Sequence, residues 1–137
     1  MTLLHASCVG IHGRAVLITG ASGAGKSDLS LRLVDRGAVL VSDDQVELSV
    51  ASGQLLAGAP ARIAGKLEVR GVGIVAMAHA GPMPVALLID LNAAPDRMPE
   101  PGSRELCGVP IPAIALSPHE PSAPIKVELA LREFGRP

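Results

Sequence analysis

Aromatic side chains are almost missing from this sequence. It has no tryptophan and no tyrosine, and Phe134 is its single phenylalanine. The core must then be built from Leu, Val, Ile and Ala, and the rings that usually stack on a nucleobase are lacking. An excess of one charge is missing too. Twelve Lys and Arg stand against thirteen Asp and Glu, a net charge of -1. That balance argues against a broad nucleic-acid-binding face and against an anionic-membrane surface. Cysteine is scarce: Cys8 and Cys107 show no CxxC spacing, so neither a zinc site nor a disulfide framework is expected, and both read as small core residues. Long apolar runs are also absent. The longest stretch free of Asp, Glu, Lys and Arg, residues 71–89, is interrupted by Gly71, Gly73, Gly81, Pro82 and Pro84. It reads as two buried strands about a turn and not as a membrane span. No basic segment followed by a long apolar one opens the chain, so no signal peptide and a cytoplasmic setting are expected.

What remains is 137 residues, 48% hydrophobic, with 15 glycines and 12 prolines. The length predicts one domain over residues 1–137, and the Gly and Pro content predicts short elements with many turns. Ala15 to Thr19 is an unbroken apolar run, as expected of a strand buried on both faces. Ser27 to Arg36 reads as a helix with Leu29, Leu33 and Val34 inward, and Gly37 as its stop. Ala38 to Val41 is a second buried strand ending in Ser42-Asp43-Asp44. Gln45 to Val50 alternates, and Ser52-Gly53-Gln54 is a hairpin turn leading to Leu55-Leu56. Leu67 to Val75, Val85 to Leu91 and Lys126 to Leu131 are further strand candidates. Asn92 to Gly108 is a Pro-rich loop, and the prolines between Pro110 and Pro124 exclude a helix there. The pattern predicts a strand-rich α/β fold with one helix.

The strongest chemical signal is Gly20-Ala21-Ser22-Gly23-Ala24-Gly25-Lys26-Ser27, a full GxxxxGK[ST] pattern between a buried strand and a helix. Backbone N–H groups of such a loop form an anion nest, Lys26 can reach the β- and γ-phosphates, and the Ser27 hydroxyl can hold Mg²⁺. Asp43 and Asp44 follow at a strand end. If that strand runs parallel beside the first, both end at the edge where open α/β sheets bind ligands. One acid could then serve a metal and the other accept a proton, though two adjacent acids also suit a solvated turn. Glu68 and Arg70, on one face of a strand beside Gly71 and Gly73, read as a surface ion-pair strand or a ligand-facing one. His5 alone is a weak signal. Asp96-Arg97 is either a loop ion pair or a mobile cation for a transferring phosphate.

Taken together, these residues resemble the catalytic domain of the HPr kinase/phosphorylase family. His5, the GASGAGKS loop at 20–27, Arg36-Gly37, Asp43-Asp44, Gly58-Ala59-Pro60, the segment Leu67 to Ile74, Asp96-Arg97 and Val109 to Pro112 occur in that family's order. The resemblance implies a P-loop kinase domain of the HPr kinase and phosphoenolpyruvate carboxykinase-like type, with few helices. It implies ATP bound by residues 20–27 together with Asp43, Glu68 and Arg70, and Mg²⁺ at Ser27 and Glu68. Asp44 matches the family's proton acceptor, and His5, Lys26 and Arg97 match its other catalytic positions. The implied partner is the phosphocarrier protein HPr, phosphorylated on a seryl hydroxyl, and the implied assembly is a homo-oligomer, a hexamer in the family.

Three departures are visible. The chain begins almost at His5, so the family's N-terminal domain is not expected. The family's C-terminal helices are expected to be absent. Its basic Pro-Gly-Arg-type loop is replaced by Ser117-Pro118-His119-Glu120-Pro121-Ser122-Ala123-Pro124, which lacks the arginine. Kinase chemistry is therefore better supported than the reverse phosphorolysis. Two other classes of function share the loop: a small-molecule kinase or nucleotidase, and a catalytically weak nucleotide-sensing module that regulates a partner.

Overall fold

The computed structural model describes all residues, 1–137. Strand β1 (Thr2–His5) is followed by β2 (Ser7–Ile11), and a tight turn at His12-Gly13 leads into β3 (Arg14–Thr19). Residues 20–25 carry the chain from β3 into helix α1 (Lys26–Asp35). Then come β4 (Val39–Ser42), the hairpin β5 (Gln45–Ala51) and β6 (Gln54–Gly58), and a second hairpin, β7 (Lys66–Val69) and β8 (Gly73–Ala76). The long strand β9 (Met83–Asp90), a loop over 91–101, the hairpin β10 (Gly102–Leu106) and β11 (Val109–Ala115), and helix α2 (Ala123–Phe134) complete the chain.

The main sheet runs β1-β5-β6-β9-β3-β2-β4, and β11 joins the C-terminal half of β9 in parallel. The strand supposed beside β3, β4, is not its neighbour; β2 and β9 are. β2 lies between β3 and β4, antiparallel to both. β3 and β4 therefore still run in the same direction, and the Gly20–Ser27 loop and Asp43-Asp44 leave the sheet at one edge.

Alternation along the central strands builds two cores. Cys8, Ala15, Leu17 and Leu88 point to a face closed by Val46, Leu48, Leu55 and Ile111. Val9, Val16, Ile18, Leu87 and Ile89 point to the face covered by both helices. Each buried Leu, Ile or Val in these layers contributes about 1.5–3 kcal/mol. Burial pushes the Cys8 thiol well above its ordinary pKa, leaving an inert small hydrophobe. Cys107, expected in the core, is exposed in the β10–β11 turn.

Helix α1 forms because Leu29 and Leu33 share its inner face, Asp28 sits in the first turn and Arg32 in the last. It ends where Gly37, at φ 108°, lets the N–H of Ala38 reach the Leu33 carbonyl and that of Gly37 reach Val34.

Four expectations need correction. Residues 126–131 are helix, not strand. Ile125, Val127, Leu129 and Leu131 mimic a two-residue period, but the residues buried are Ala123, Pro124, Val127, Ala130 and Leu131, one helical face. Pro124 is compatible with this helix because it sits in the first turn, where its missing N–H leaves no bond unmade. The chain thus has a C-terminal helix where none was expected. The segment 92–108 is not all loop, because β10 pairs with β11 from Gly102↔Ala113 to Leu106↔Val109. Finally, 67–75 is two strands, with Arg70 in the turn between them. No helix is long and apolar enough to cross a membrane.

Candidate functional site

A cavity of about 540 Å³ opens at the edge where β3 and β4 end. Ser22, Gly23, Gly25, Lys26 and Ser27 line one side of it, and His5, Asp44, Glu68, Val69 and Arg70 line the opposite side. Asp28, Leu31 and Arg32 of α1, with Pro118 and His119, form its third wall.

The loop is built around Lys26. Only 7% exposed, it donates from Nζ to the carbonyls of Gly20 at 2.8 Å and Ala21 at 3.0 Å. Gly25, at φ 107°, makes the turn into α1 with the Pro118 ring 3.4 Å from where a Cβ would stand. No other residue meets both demands without strain. The free N–H groups of the first turn and the helix dipole then face the cavity.

The two adjacent acids have separate places. Asp43 is 6% exposed and accepts three hydrogen bonds. Ser27 Oγ donates to its Oδ1 at 2.7 Å, Ser7 Oγ to the same oxygen at 2.8 Å, and the Glu68 N–H to Oδ2 at 3.2 Å. A buried carboxylate so satisfied is a fixed post. It holds the Ser27 hydroxyl and the root of the β7–β8 hairpin. Asp44 instead projects from the rim with its backbone at φ 73°, an uncommon region for a side-chain-bearing residue. The Gln45 N–H closes a three-residue turn onto the Asp43 carbonyl, and the Ala6 N–H takes the Asp44 carbonyl. The Asp44 carboxylate lies 3.2 Å from His5 Nε2, brought there by the His5↔Gln45 pairing of β1 with β5.

Ser27, Glu68 and the Asp43 carboxylate behind them offer hard oxygen donors beside the Gly20–Ser27 loop. That set suits Mg²⁺, which keeps several waters and takes phosphate oxygens as ligands. No cluster of three or more His, Cys, Asp or Glu forms a cage for a metal without phosphate.

Of the residues singled out from sequence, His5, Ser22, Gly23, Gly25, Lys26, Ser27, Asp44, Glu68 and Arg70 meet at the cavity. Gly20, Ala21 and Ala24 shape the loop from outside the lining, and Asp43 lies beneath it. Arg97 is not among the lining residues; it is exposed on the 91–101 loop. Ser7 and Arg32 were missed. Ser7 is one more small residue in a buried strand, and only the β2–β4 pairing puts it beside Asp43. Arg32 donates to the carbonyls of Pro118 and, at 3.2 Å, Glu120, while its Nε lies 3.1 Å from Asp28. It thus pins the third wall to α1. Arg32→Ala is expected to speed amide exchange over residues 117–121 about tenfold, leaving β3 and β9 protected, as read by hydrogen-exchange mass spectrometry.

Residues 1–81 match the family model described as the HPr Serine kinase C-terminal domain. The HPr kinase/phosphorylase of an Exiguobacterium species is 51% identical over 76 residues, and that of Clostridium tetani 46% over 74. These matches cover 55% and 54% of this chain and 24% of each relative, so the matched stretch spans about a quarter of their length. A solved structure described as the Hpr(Ser) kinase/phosphatase from Coxiella burnetii superposes with a TM-score of 0.83 at 30% identity, covering 96% of this chain and 95% of that one. The strand-rich α/β fold is therefore that of a known kinase family, and the chain belongs to the HPr serine kinase C-terminal domain family.

Proposed function

We propose that residues 1–137 act as one catalytic domain of an ATP- and Mg²⁺-dependent serine kinase whose acceptor is a cytoplasmic HPr-like phosphocarrier protein. One observation carries the reading: Asp44, held at φ 73°, shares a cleft with Lys26 and Ser27. Backbone strain kept at the rim of a phosphate site is what a fixed proton acceptor needs, whereas simple nucleotide binding needs no such acid.

In this reading the loop N–H groups and Lys26 hold the β- and γ-phosphates, with Arg70 adding positive charge across the cleft. Ser27 and Glu68 would hold Mg²⁺, which would supply neutralisation of the phosphate charge. Asp44, oriented by His5, takes the proton of the seryl hydroxyl. The seryl oxygen bonds to the γ-phosphorus as the bond to the bridging oxygen breaks, and ADP leaves with that electron pair. Arg97 would reach the transferring group from its exposed loop when the acceptor protein docks.

The test is transfer of labelled γ-phosphate from ATP and Mg²⁺ to a seryl residue of a purified HPr-like phosphocarrier. Label on the acceptor serine is expected. Release of labelled phosphate without acceptor labelling would make the protein a nucleotidase. ATP binding with no turnover of either kind would make it a sensing module.

A further inference from the structure

The loop over 91–101 leaves the sheet beside the phosphate loop, and its root is tied there. The β3–β9 register sets Asp90 opposite Thr19, the residue before Gly20. The Leu91 N–H then donates to the Thr19 carbonyl at 2.9 Å. The Asn92 N–H donates to Asp90 Oδ1 at 2.8 Å, and Arg104 Nη2 of β10 reaches the other Asp90 oxygen at 3.2 Å. So placed, the Asn92 side chain turns to the phosphate loop, and its Oδ1 accepts the Ala21 N–H at 3.0 Å. Because the partner is a backbone donor, the amide orientation is fixed by chemistry.

The Gly20–Ala21 segment is thereby gripped from two sides. Lys26 Nζ donates to the Gly20 and Ala21 carbonyls, the Ala24 N–H donates to the Ala21 carbonyl at 3.0 Å, and Asn92 takes the Ala21 N–H. Ala21 and Asn92 are both exposed, so no core packing holds this peptide in place. Without Asn92 the Ala21 peptide could rotate and carry the anchor of Lys26 with it.

We propose that Asn92 is a positioning residue for nucleotide binding: it sets the Gly20–Ala21 peptide that aims Lys26, and Asp90 and Arg104 hold it in place. The proposal rests on the reading of residues 20–27 as a nucleotide-phosphate site. It acts on the empty loop, so its effect falls on nucleotide affinity and not on the chemical step.

The experiment pairs amide exchange at Ala21, followed by NMR, with titration of a non-hydrolysable ATP analogue. Asn92→Ala is expected to speed Ala21 exchange at least tenfold and to weaken the analogue about fivefold to tenfold. Its melting temperature should stay within about 2 °C, since one exposed hydrogen bond is removed. In the labelled-transfer assay KM for ATP rises and kcat stays within about twofold. Asn92→Asp, which keeps the acceptor oxygen, restores Ala21 protection. Arg104→Gln, away from the cleft, shifts affinity the same way by about threefold. Unchanged Ala21 exchange and unchanged analogue affinity in Asn92→Ala overturn the proposal, as does a fall in kcat with KM constant. If the unaltered protein binds no analogue, the reading of the loop fails and the proposal falls with it. If the unaltered protein binds and Asn92→Ala binds equally, the proposal alone falls.

Discussion

Lys26→Ala is expected to cut phosphoryl transfer by about a thousandfold or more, in a protein that still melts cooperatively. Lys26 is the first residue of α1, at the positive end of its dipole, and is largely buried at the wall of the cavity. A cation in such a site acts on a phosphate far more strongly than it would in bulk solvent. Two of its three N–H donors are taken by the Gly20 and Ala21 carbonyls, which leaves the third for a phosphate oxygen. Alanine removes the charge and the brace together. The structural cost is local, because Gly20 is half-buried and Ala21 exposed, so water can replace the lost donors. Differential scanning calorimetry should show a melting temperature only a few degrees lower. Lys26→Arg should not rescue transfer, since a planar fork cannot fold back onto both carbonyls as a single ammonium does. Undiminished transfer by folded Lys26→Ala would remove the loop from the mechanism.

What could be read in the sequence was local. The run Ala15 to Thr19, the glycine pattern after it and the Leu29/Leu33 stripe each carry their signal within a few residues, and β3, the loop and α1 lie where they were expected. The β5–β6 hairpin was legible for the same reason, because Ser52-Gly53 dictates its turn. The sheet order was not. The β2–β3 hairpin is closed locally at His12-Gly13, but the pairing of β2 with β4 is long-range and no local propensity encodes it. Helix α2 was misread because Ile125 and Leu129, its exposed apolar residues, fall in step with Val127 and Leu131 and counterfeit a strand. The site divides in the same way. Loop residues adjacent in sequence were found, but the division of labour between Asp43 and Asp44 is set by Ser7 and His5, 36 and 39 residues away. Arg32 reaches a loop 86 residues further on, and nothing near Arg32 announces it.

Asp44→Asn is expected to lower transfer about 10²–10⁴-fold while leaving nucleotide affinity within about twofold. The substitution is unusually clean. Asparagine is among the few residues that accept positive φ, so the turn at 73° survives. Its Oδ1 can still lie against His5, and the backbone bonds of Gln45 and Ala6 to this turn involve no side chain. Only the capacity to accept a proton is lost. Asp44→Gly provides the complementary control. Glycine adopts φ 73° without strain, so this variant should melt within a few degrees of the parent and yet be equally inactive. If strain alone mattered, asparagine would be active and glycine would not; if the carboxylate matters, both fail together. Full transfer by a folded Asp44→Asn protein would sink the assignment. The proton acceptor would then have to be sought in Glu68, the other carboxylate on that side of the cleft.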